Sequence, residues 1–412
     1  MRNRENLIVG LDIGTTKICA LAAELDSQGP LNIVGIGQAP SDGIRKGVVV
    51  NIEKTVAAIR KSMRECELMS GANIKEVLAG IAGHHIRGLN SHGMVTVQNN
   101  HTVTDDDVRR VIEAAQAVTI PNDREILHIL PQDFIVDDQD GVQNPLGMSG
   151  IRLEVDVHIV TCSATSAQNI IKCCNHAGLE VSNIVLEPLA SAQAVLSDDE
   201  KELGVVLVDI GGGTTDLAIY SAGSIVHTSV LALGGNHLTN DIAIGLSTPL
   251  AEAETLKHEH GVAMGKMVEP DEMIRVPSVG GRRSRTLDKR LLTEIIEPRF
   301  REIFELVGKE IDRSNYRHLI ASGVVITGGS SLMPGADDLG SEILKFSVRV
   351  GFPEDTTGLS ETVHSPMHAT GVGLLRYGLG NGEARYLPQF AGEATVFNRF
   401  SRRMREFVQD FF

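Results

Sequence analysis

The sequence has no tryptophan, and aromatic residues make up only 4% of its 412 residues. Its five cysteines are odd in number and include no Cys-x-x-Cys pair, so they support neither a disulfide framework nor a zinc site. No apolar run approaches the roughly 20 residues of a membrane-spanning helix, and the N-terminal apolar run meets Asp12 too early for a secretory signal. The net charge of −15 argues against nucleic acid as the main partner, because such binding usually needs a basic face.

Glycine, by contrast, is abundant at 42 residues, and the chain contains an internal repeat. Residues 7–25 read LIVGLDIGTTKICALAAEL, and residues 204–226 read GVVLVDIGGGTTDLAIYSAGSIV. Each segment has an apolar run, then Asp-Ile-Gly, then glycines and threonines, and then a second apolar run that leads through a polar turn into a third. The repeat predicts two related halves, each of which begins with a β-meander.

Helical patterns lie between these strands and predict α/β layers. The predicted helices are 51–67, 166–177, 187–196, 242–246 and 291–311. Only the segment 84–160 departs from this alternation. It has strand-like runs around 93–97, 126–136 and 151–161, and Thr104 followed by three acidic residues predicts the start of a helix. We therefore predict a small αβ subdomain inserted into the first half.

Both Asp-Ile-Gly segments have the pattern of a phosphate-binding loop, since glycine lets backbone N–H groups approach an anion closely. Asp12 and Asp209 are candidate Mg²⁺ ligands, directly or through water. The candidate phosphate-binding residues of the two loops are Gly14, Thr15, Thr16 and Lys17, and Gly211, Gly212, Gly213, Thr214 and Thr215. The alternative is a pair of glycine-rich hairpins without a ligand. A third segment, VVITGGSSLMPG at 324–335, predicts a strand–loop–helix junction that would approach adenosine through Gly328, Gly329, Ser330 and Met333.

These three segments resemble the actin-like ATPase superfamily, and essentially the whole chain is similar to the FtsA family of bacterial cell-division proteins. LEPLASA at 186–192, ALGGNHLTNDIA at 232–243 and PSVGGR at 277–282 carry the closer resemblance. The resemblance implies an α/β actin-like fold, a duplicated ribonuclease H-like unit whose halves enclose a cleft for ATP and Mg²⁺. The implied divisions are a first half at 1–83 and 161–203, an FtsA-type insert at 84–160, a second half at 204–235 and 312–380 with its small subdomain at 236–311, a linker at 381–396 and an amphipathic helix at 397–412.

The resemblance also assigns roles to residues outside the loops. Glu187 matches the residue that positions the hydrolytic water, although it would equally serve as an acidic cap of the following helix. Within 253–258, Glu254 would accept hydrogen bonds from the ribose, and Lys257 and His258 would flank the base. The alternative there is a solvated helix with an ion pair, and His258 departs from the arginine of the heat-shock relatives. The sequence leaves open whether ATP is hydrolysed.

The last 16 residues, FNRFSRRMREFVQDFF, predict a basic amphipathic helix. Such a helix is too short and too charged to span a bilayer, and it suits the interface of an anionic membrane. Docking on the protein body is the alternative, although glycine and proline in 381–395 are typical of a tether. The residues expected to contact the membrane are Phe397, Phe400, Arg402, Arg403, Met404, Phe407 and Phe411.

The resemblance further implies a filament-forming scaffold on the cytoplasmic face of the inner membrane at the division septum. It would tether polymers of the division protein FtsZ, associate with itself and recruit later division proteins. A basic cluster between residues 275 and 301 would attract the acidic FtsZ C-terminal peptide, with Arg282 and Arg299 as expected contacts, although such a cluster is equally compatible with a solvated loop. A pilus-assembly scaffold ATPase and a sugar kinase share the loop motifs, but neither needs the basic tail.

Overall fold

The computed structural model describes residues 7–24, 30–98, 101–280 and 282–380. Its strands are β1 (Leu7–Ile13), β2 (Lys17–Glu24), β3 (Leu31–Pro40), β4 (Ile44–Arg45), β5 (Val48–Val49), β6 (Glu76–Ile81), β7 (Arg87–Thr96), β8 (Arg124–Val136), β9 (Gln139–Val142), β10 (Arg152–Ser163), β11 (Glu180–Leu186), β12 (Val205–Ile210), β13 (Thr215–Ser221), β14 (Ser224–Leu231), β15 (Met273–Val276), β16 (Arg285–Asp288), β17 (Val324–Thr327), β18 (Val348–Val350) and β19 (Thr356–Gly358). Its α-helices are α1 (Ile52–Ser70), α2 (Asp105–Ala115), α3 (Ala164–Ala177), α4 (Glu187–Val195), α5 (Asp198–Leu203), α6 (Gly235–Gly245), α7 (Leu250–His260), α8 (Lys289–Ser314), α9 (Ala336–Leu344), α10 (Ser360–Val363) and α11 (Ala369–Leu379).

Two sheets share one strand order, as the sequence repeat predicts. The first has the order β11-β6-β1-β2-β3-β19. The second, read from the corresponding edge, has the order β18-β17-β12-β13-β14, which matches the first sheet without β19. In each, an antiparallel meander is extended by two parallel strands, β6 and β11 beside β1, and β17 and β18 beside β12. The central strands β1 and β12 read as continuous apolar runs because helices cover both faces of each sheet.

Two apolar cores stabilise the halves, and the core of the first half extends onto the second-half sheet through Val205, Leu207 and Ala218. In the first, α1 packs on β3 and α11 packs on β1, where a Cβ at Gly10 would approach Leu374 to 2.9 Å. In the second, Phe300 and Phe304 of α8 are completely buried among the strands and helices of that half. The short strand β19 crosses over from the second half and pairs in parallel with β3. The duplicated α/β fold predicted from the sequence is thus confirmed.

A third, four-stranded sheet forms the inserted subdomain, with the order β7-β10-β8-β9 and α2 packed against it. Thr104 and Asp107 form the expected reciprocal cap at the start of α2. A separate apolar core that includes Leu153, Val155 and Phe134 stabilises this sheet. Strand β8 of the subdomain also contacts β11, the edge strand of the first-half sheet.

Several element boundaries differ from the predicted ones. Helix α6 begins at Gly235, well before the predicted segment 242–246. The prediction starts too late because the glycines at the beginning of α6 interrupt the helical spacing of apolar residues, to which Leu238 and Ile242 belong. The hairpin β4–β5 and the strand β19 are too short to produce a sequence pattern. None of the helices in the described ranges is long and apolar enough to cross a membrane. The linker at 381–396 and the helix at 397–412 lie outside the described residues.

Candidate functional site

A cavity of about 420 Å³ opens between the two halves, where the turns β1–β2 and β12–β13 face each other. The cavity is lined by both Asp-Ile-Gly turns, by the loop after β17, and by residues of α4, α6 and α7. The sequence repeat therefore brings its two copies to a single site. Such a cavity at the ends of strands in an α/β protein is a typical position for a ligand.

The two glycine-rich turns touch each other directly across this cavity. A Cβ at Gly212 would overlap the Thr16 hydroxyl, and one at Gly213 would lie 2.7 Å from the Thr15 side chain. Glycine is therefore required at both positions for the turns to approach this closely. Thr15 also accepts a hydrogen bond from the backbone N–H of Gly47 at 3.1 Å, which fixes the β4–β5 hairpin at the mouth of the cavity.

Besides Glu254, four carboxyl groups line the same cavity: Asp12, Glu187, Asp209 and Asp216. Burial raises the pKa of Asp12 to about 6. The charge of Lys17 lowers this pKa, and the charge of Asp209 raises it. Burial and the charge of Asp209 raise the pKa of Asp216 to about 8. The pKa of Glu187 lies well above its ordinary value. Burial is the largest cause, and the charges of Asp12, Asp216 and Asp209 raise it further.

Asp209 is held by hydroxyl groups on one side. Ser191 donates to its Oδ2 at 2.8 Å and Thr370 does so at 3.4 Å, and both bonds oppose the increase in pKa that burial produces. The Lys17 ammonium donates to the carbonyl of Met367 at 2.5 Å and lowers the pKa of both Asp12 and Asp209 through its charge. One lysine therefore faces a set of four acids, a balance that an additional cation would correct.

An unsatisfied carboxylate oxygen at the cavity is available to a magnesium ion. The Oδ1 atom of Asp216 is buried and has no hydrogen-bond partner within the described ranges, so an unsatisfied acceptor lies at the cavity. In the described part of the chain, no three His, Cys, Asp or Glu side chains are close enough to chelate a metal by themselves. The unsatisfied acceptor fits Mg²⁺, which is usually held by one or two carboxylates together with waters and phosphate oxygens.

The other end of the cavity has different chemistry. Glu254 and Lys257 of α7 form an ion pair of 2.7 Å, and Lys257 also donates to Thr239 at 3.0 Å and to the carbonyl of Gly235 at 3.3 Å. His258 lies 3.0 Å from Glu254. Burial tends to raise the pKa of Glu254, but the charge of Lys257 and the hydrogen bonds around it lower it overall. Glu254 is therefore a persistent acceptor at this end of the cavity, as a ribose hydroxyl would require.

The loop after β17 closes this end. Gly328 has φ 83°, and a Cβ there would collide with Asp209, so glycine is needed for the backbone to pass the carboxylate. Ser330 donates to the carbonyl of Gly211 at 3.2 Å, which joins the loop to the second glycine-rich turn. Leu332, Met333 and Pro334 add an apolar wall to the cavity. The site thus has a charged end and an apolar end, as a nucleotide has.

Two family models for bacterial division proteins match the chain. The one described as "Cell division protein FtsA" matches residues 206–373, and the one described as "SHS2 domain inserted in FTSA" matches residues 83–161. The cell division protein FtsA of Pseudomonas aeruginosa is 52% identical over 373 residues, which cover 90% of this chain and 89% of that protein. The chain belongs to the FtsA family. The FtsA protein of Escherichia coli is 40% identical, covering 92% of this chain and 92% of that protein. The FtsA protein of Borreliella burgdorferi is also 40% identical, covering 99% of each.

Solved structures of more distant proteins show the fold. A PilM–PilN type IV pilus biogenesis complex has a TM-score of 0.63 at 16% identity, covering 90% of this chain and 98% of that one. An MreB protein of Spiroplasma citri, bound to ADP, has a TM-score of 0.54 at 15% identity, covering 91% and 96%. A family model for Hsp70 proteins matches residues 163–241. The actin-like fold with an FtsA-type insert, predicted from the sequence, is confirmed.

Asp216 also lines the cavity and is not among the site residues predicted from the sequence. It lies directly opposite Asp209 in the antiparallel pair β12–β13, and like charges at such positions are destabilising. The sequence repeat indicates this residue, because its second copy has an additional acidic residue directly after Thr-Thr. Lys17 follows Thr-Thr in the first copy and Asp216 follows Thr-Thr in the second, although the strand register places Asp216 opposite Asp209 as it places Cys19 opposite Asp12.

Other predicted site residues lie apart from the cavity. Thr215 donates to the carbonyl of Leu233 at 3.0 Å and is not among the described residues that line the cavity. Arg282 is exposed, whereas Arg299 is bound to Asp241 at 2.6 Å and to Glu302. The seven predicted membrane residues, Phe397 to Phe411, lie outside the described residues.

Proposed function

We propose that this FtsA-family chain binds ATP with Mg²⁺ between its two Asp-Ile-Gly turns. The observation that carries the proposal is that two copies of one glycine-rich motif meet at a single cavity lined by Lys17 and by the carboxyl groups of Asp12, Asp209 and Asp216. Lys17 and the backbone of Gly14, Gly212 and Gly213 would hold the phosphates. Asp12, Asp209 and Asp216 would hold the cation, largely through water. The apolar wall and the pair Glu254–Lys257 would hold the adenosine.

Slow hydrolysis of ATP is the reaction that this arrangement supports. Glu187 begins α4 and is only partly exposed, with its side chain at the same cavity as Asp12 and Asp209. When bound, Mg²⁺ would supply positive charge that offsets the carboxylates. The pKa of Glu187 would then decrease, and its carboxylate would orient a water molecule and accept its proton. The role of helix cap is compatible with this, since Glu187 occupies the first turn of α4.

The wider function we propose is that of a membrane-attached scaffold for cell division. Membership of the FtsA family supports a role in division, and the sequence of residues 397–412 supports peripheral attachment to an anionic membrane. In the small subdomain, the exposed Arg282 and its neighbours would bind the acidic C-terminal peptide of FtsZ. Association of the chain with itself would form filaments on the membrane, and these would recruit later division proteins at the septum.

Calorimetry with full-length protein tests nucleotide binding. ATP should bind more tightly with Mg²⁺ than without it, and Asp209→Asn should remove most of this difference because the cation loses its charge partner. Asp138→Asn is the control, because Asp138 is fully exposed and outside the cavity. Binding that is equally tight with and without Mg²⁺ in both proteins would refute the proposed site.

Vesicle flotation tests the membrane anchor. Phe407→Glu should release the protein from vesicles that contain anionic lipid, because the change introduces a charge into the predicted apolar stripe. Gln409→Glu adds the same charge two residues away, on the predicted polar face, and should float nearly as well as the unchanged protein. Equal flotation of all three proteins would show that the stripe is not the anchor.

A further inference from the structure

His128 connects the inserted subdomain to the first residue of the candidate hydrolytic helix. It lies on β8 and has no exposed surface. Its Nε2 atom accepts a hydrogen bond of 2.9 Å from the backbone N–H of Leu186. Leu186 is the last residue of β11 and immediately precedes Glu187, which begins α4. The bond therefore joins a strand of the inserted subdomain to the residue beside the cavity carboxylate.

The first-half sheet explains why an acceptor is needed at this point. Its outermost strand is β11, so the N–H groups on the outer edge of β11 have no neighbouring strand to pair with. Leu186 is completely buried, and its N–H cannot reach water. Leu186 is also the N-cap residue of α4, which has no side-chain cap. The His128 imidazole thus fixes the backbone at the point where the strand becomes the helix.

An imidazole at this position has an energetic disadvantage that simple packing would not explain. Its Nδ1 atom is buried and finds no hydrogen-bond partner in the described part of the chain, and an unsatisfied polar group destabilises a protein interior. The ring packs edge-to-face against Tyr377 of α11, at 6.2 Å between centroids, a contact that phenylalanine would also make. Burial lowers the pKa of His128 to about 3, so the ring stays a neutral acceptor at any physiological pH. The acceptor atom is thus the feature that distinguishes histidine from phenylalanine here.

Helix α4 connects this bond to both sides of the candidate reaction centre. Glu187 begins the helix, and Ser191, one turn later, donates to Oδ2 of Asp209 at 2.8 Å. A shift or rotation of α4 would therefore move the Glu187 carboxylate relative to Asp209 and Asp12. Reactions of this kind are sensitive to displacements of about 1 Å.

We propose that His128 is a positioning residue for ATP hydrolysis, through which the inserted subdomain sets the placement of Glu187. The proposal rests on the hydrolysis proposed above for this cavity. Its consequence is that a displacement of the inserted subdomain from the first half changes the rate of the hydrolytic step without a direct contact to the nucleotide.

Two substitutions separate the acceptor atom from the ring. His128→Phe keeps the aromatic contact with Tyr377 and removes the acceptor. His128→Gln removes the ring and retains an acceptor oxygen on a flexible chain. We expect His128→Phe to lower the single-turnover rate of hydrolysis by about tenfold or more. The affinity for Mg²⁺–ATP in calorimetry should remain unchanged, and His128→Gln should restore most of the rate.

The matched control is His158→Phe. His158 is another fully buried histidine of the same subdomain, but it bonds Asn90 and, at 2.9 Å, Thr228 of the second half instead of the α4 backbone. Its substitution should lower the melting temperature and leave the hydrolysis rate of the folded protein unchanged. An equal loss of rate in His158→Phe, or in both His128 variants together with equal losses of melting temperature, would mean general loosening and would overturn the proposal.

Glu187→Gln separates failure of this inference from failure of the proposed hydrolysis. If Glu187→Gln is slow while His128→Phe hydrolyses ATP as fast as the unchanged protein, the hydrolytic role of Glu187 stands and the positioning role of His128 is refuted. If the unchanged protein and Glu187→Gln hydrolyse ATP equally slowly, hydrolysis at this site is refuted, and the role of His128 is refuted with it.

Discussion

Asp216→Asn should stabilise the nucleotide-free protein, and more so as the pH rises. Asp216 and Asp209 face each other across β12 and β13, and both are almost completely buried. Asparagine has nearly the same shape and no charge. It also keeps an oxygen that can accept the 2.8 Å hydrogen bond from Thr214. The substitution therefore removes a buried ionisable group with little change in packing.

The size of the effect follows from the pKa of Asp216, which burial and Asp209 raise from 3.8 to about 8. The folded state holds the proton more tightly than the unfolded state, so the carboxyl group does not destabilise the fold below pH 3.8. Stability decreases as the pH rises through the interval up to about 8. At 1.36 kcal/mol per pH unit, the destabilisation is on the order of 4 kcal/mol at pH 7 and on the order of 2 kcal/mol at pH 5.

Thermal unfolding of nucleotide-free protein across pH 5 to 8 measures this difference. We expect Asp216→Asn to raise the melting temperature by about 5–10 °C at pH 7 and by clearly less at pH 5. The exposed Asp138→Asn is the control and should follow the unchanged protein at every pH. Mg²⁺–ATP should reduce the advantage of the variant, because a bound cation offsets the charge of the native carboxylate. Parallel curves of melting temperature against pH for Asp216→Asn and the unchanged protein would refute the reasoning.

Four further substitutions test the site and the basic cluster of the small subdomain. Glu187→Gln should lower single-turnover hydrolysis by about 100-fold or more with the same ATP affinity, since only proton transfer and water orientation are lost, and an unchanged rate would exclude this role. Lys257→Ala should weaken ATP binding in calorimetry by about tenfold, because Glu254 loses its ion-pair partner; equal affinity would place the adenosine elsewhere. Arg282→Glu should weaken binding of the FtsZ C-terminal peptide in fluorescence anisotropy, whereas Arg299→Glu should mainly lower the melting temperature because its guanidinium is already paired. The reverse pattern would move the peptide site to Arg299.

The parts of the fold that the sequence predicts well are those that local patterns determine. The repeat around Asp12 and Asp209 predicts two equivalent meanders, because the same run of apolar residues and glycines folds in the same way twice. Thr104 with its acidic successors predicts the start of α2 correctly, since the reciprocal cap involves only four neighbouring residues. The cavity itself was also expected, because related strands that end in related turns face each other in a duplicated α/β fold.

The remaining features depend on contacts between distant parts of the chain. Strand β19 has three residues and exists as a strand only because it pairs with β3 of the other half. The bond between His128 and Leu186 connects residues 58 positions apart, and nothing near either residue indicates it. Arg299 resembles the other arginines of its basic cluster in sequence, and only the fold shows that Asp241 already neutralises it. Charge in a sequence is therefore a weaker guide to a binding surface than a repeated glycine-rich turn is to a cavity.

The asymmetry between the two turns gives the cavity a direction. Lys17 follows Thr-Thr in the first turn, and Asp216 follows Thr-Thr in the second, so the first turn contributes a cation to the cavity and the second an additional acidic group. A duplicated fold with identical turns would present the same potential from both sides and would not distinguish the orientation of a charged ligand. With opposite charges, phosphate oxygens are favoured beside Lys17 and a cation is favoured beside Asp209 and Asp216. Glu187 lies near both turns, and the charges of Asp12 and Asp216 therefore both raise its pKa. Lys17 and Asp216, which have no counterpart of the same charge in the other turn, thus give a duplicated fold an oriented reaction centre.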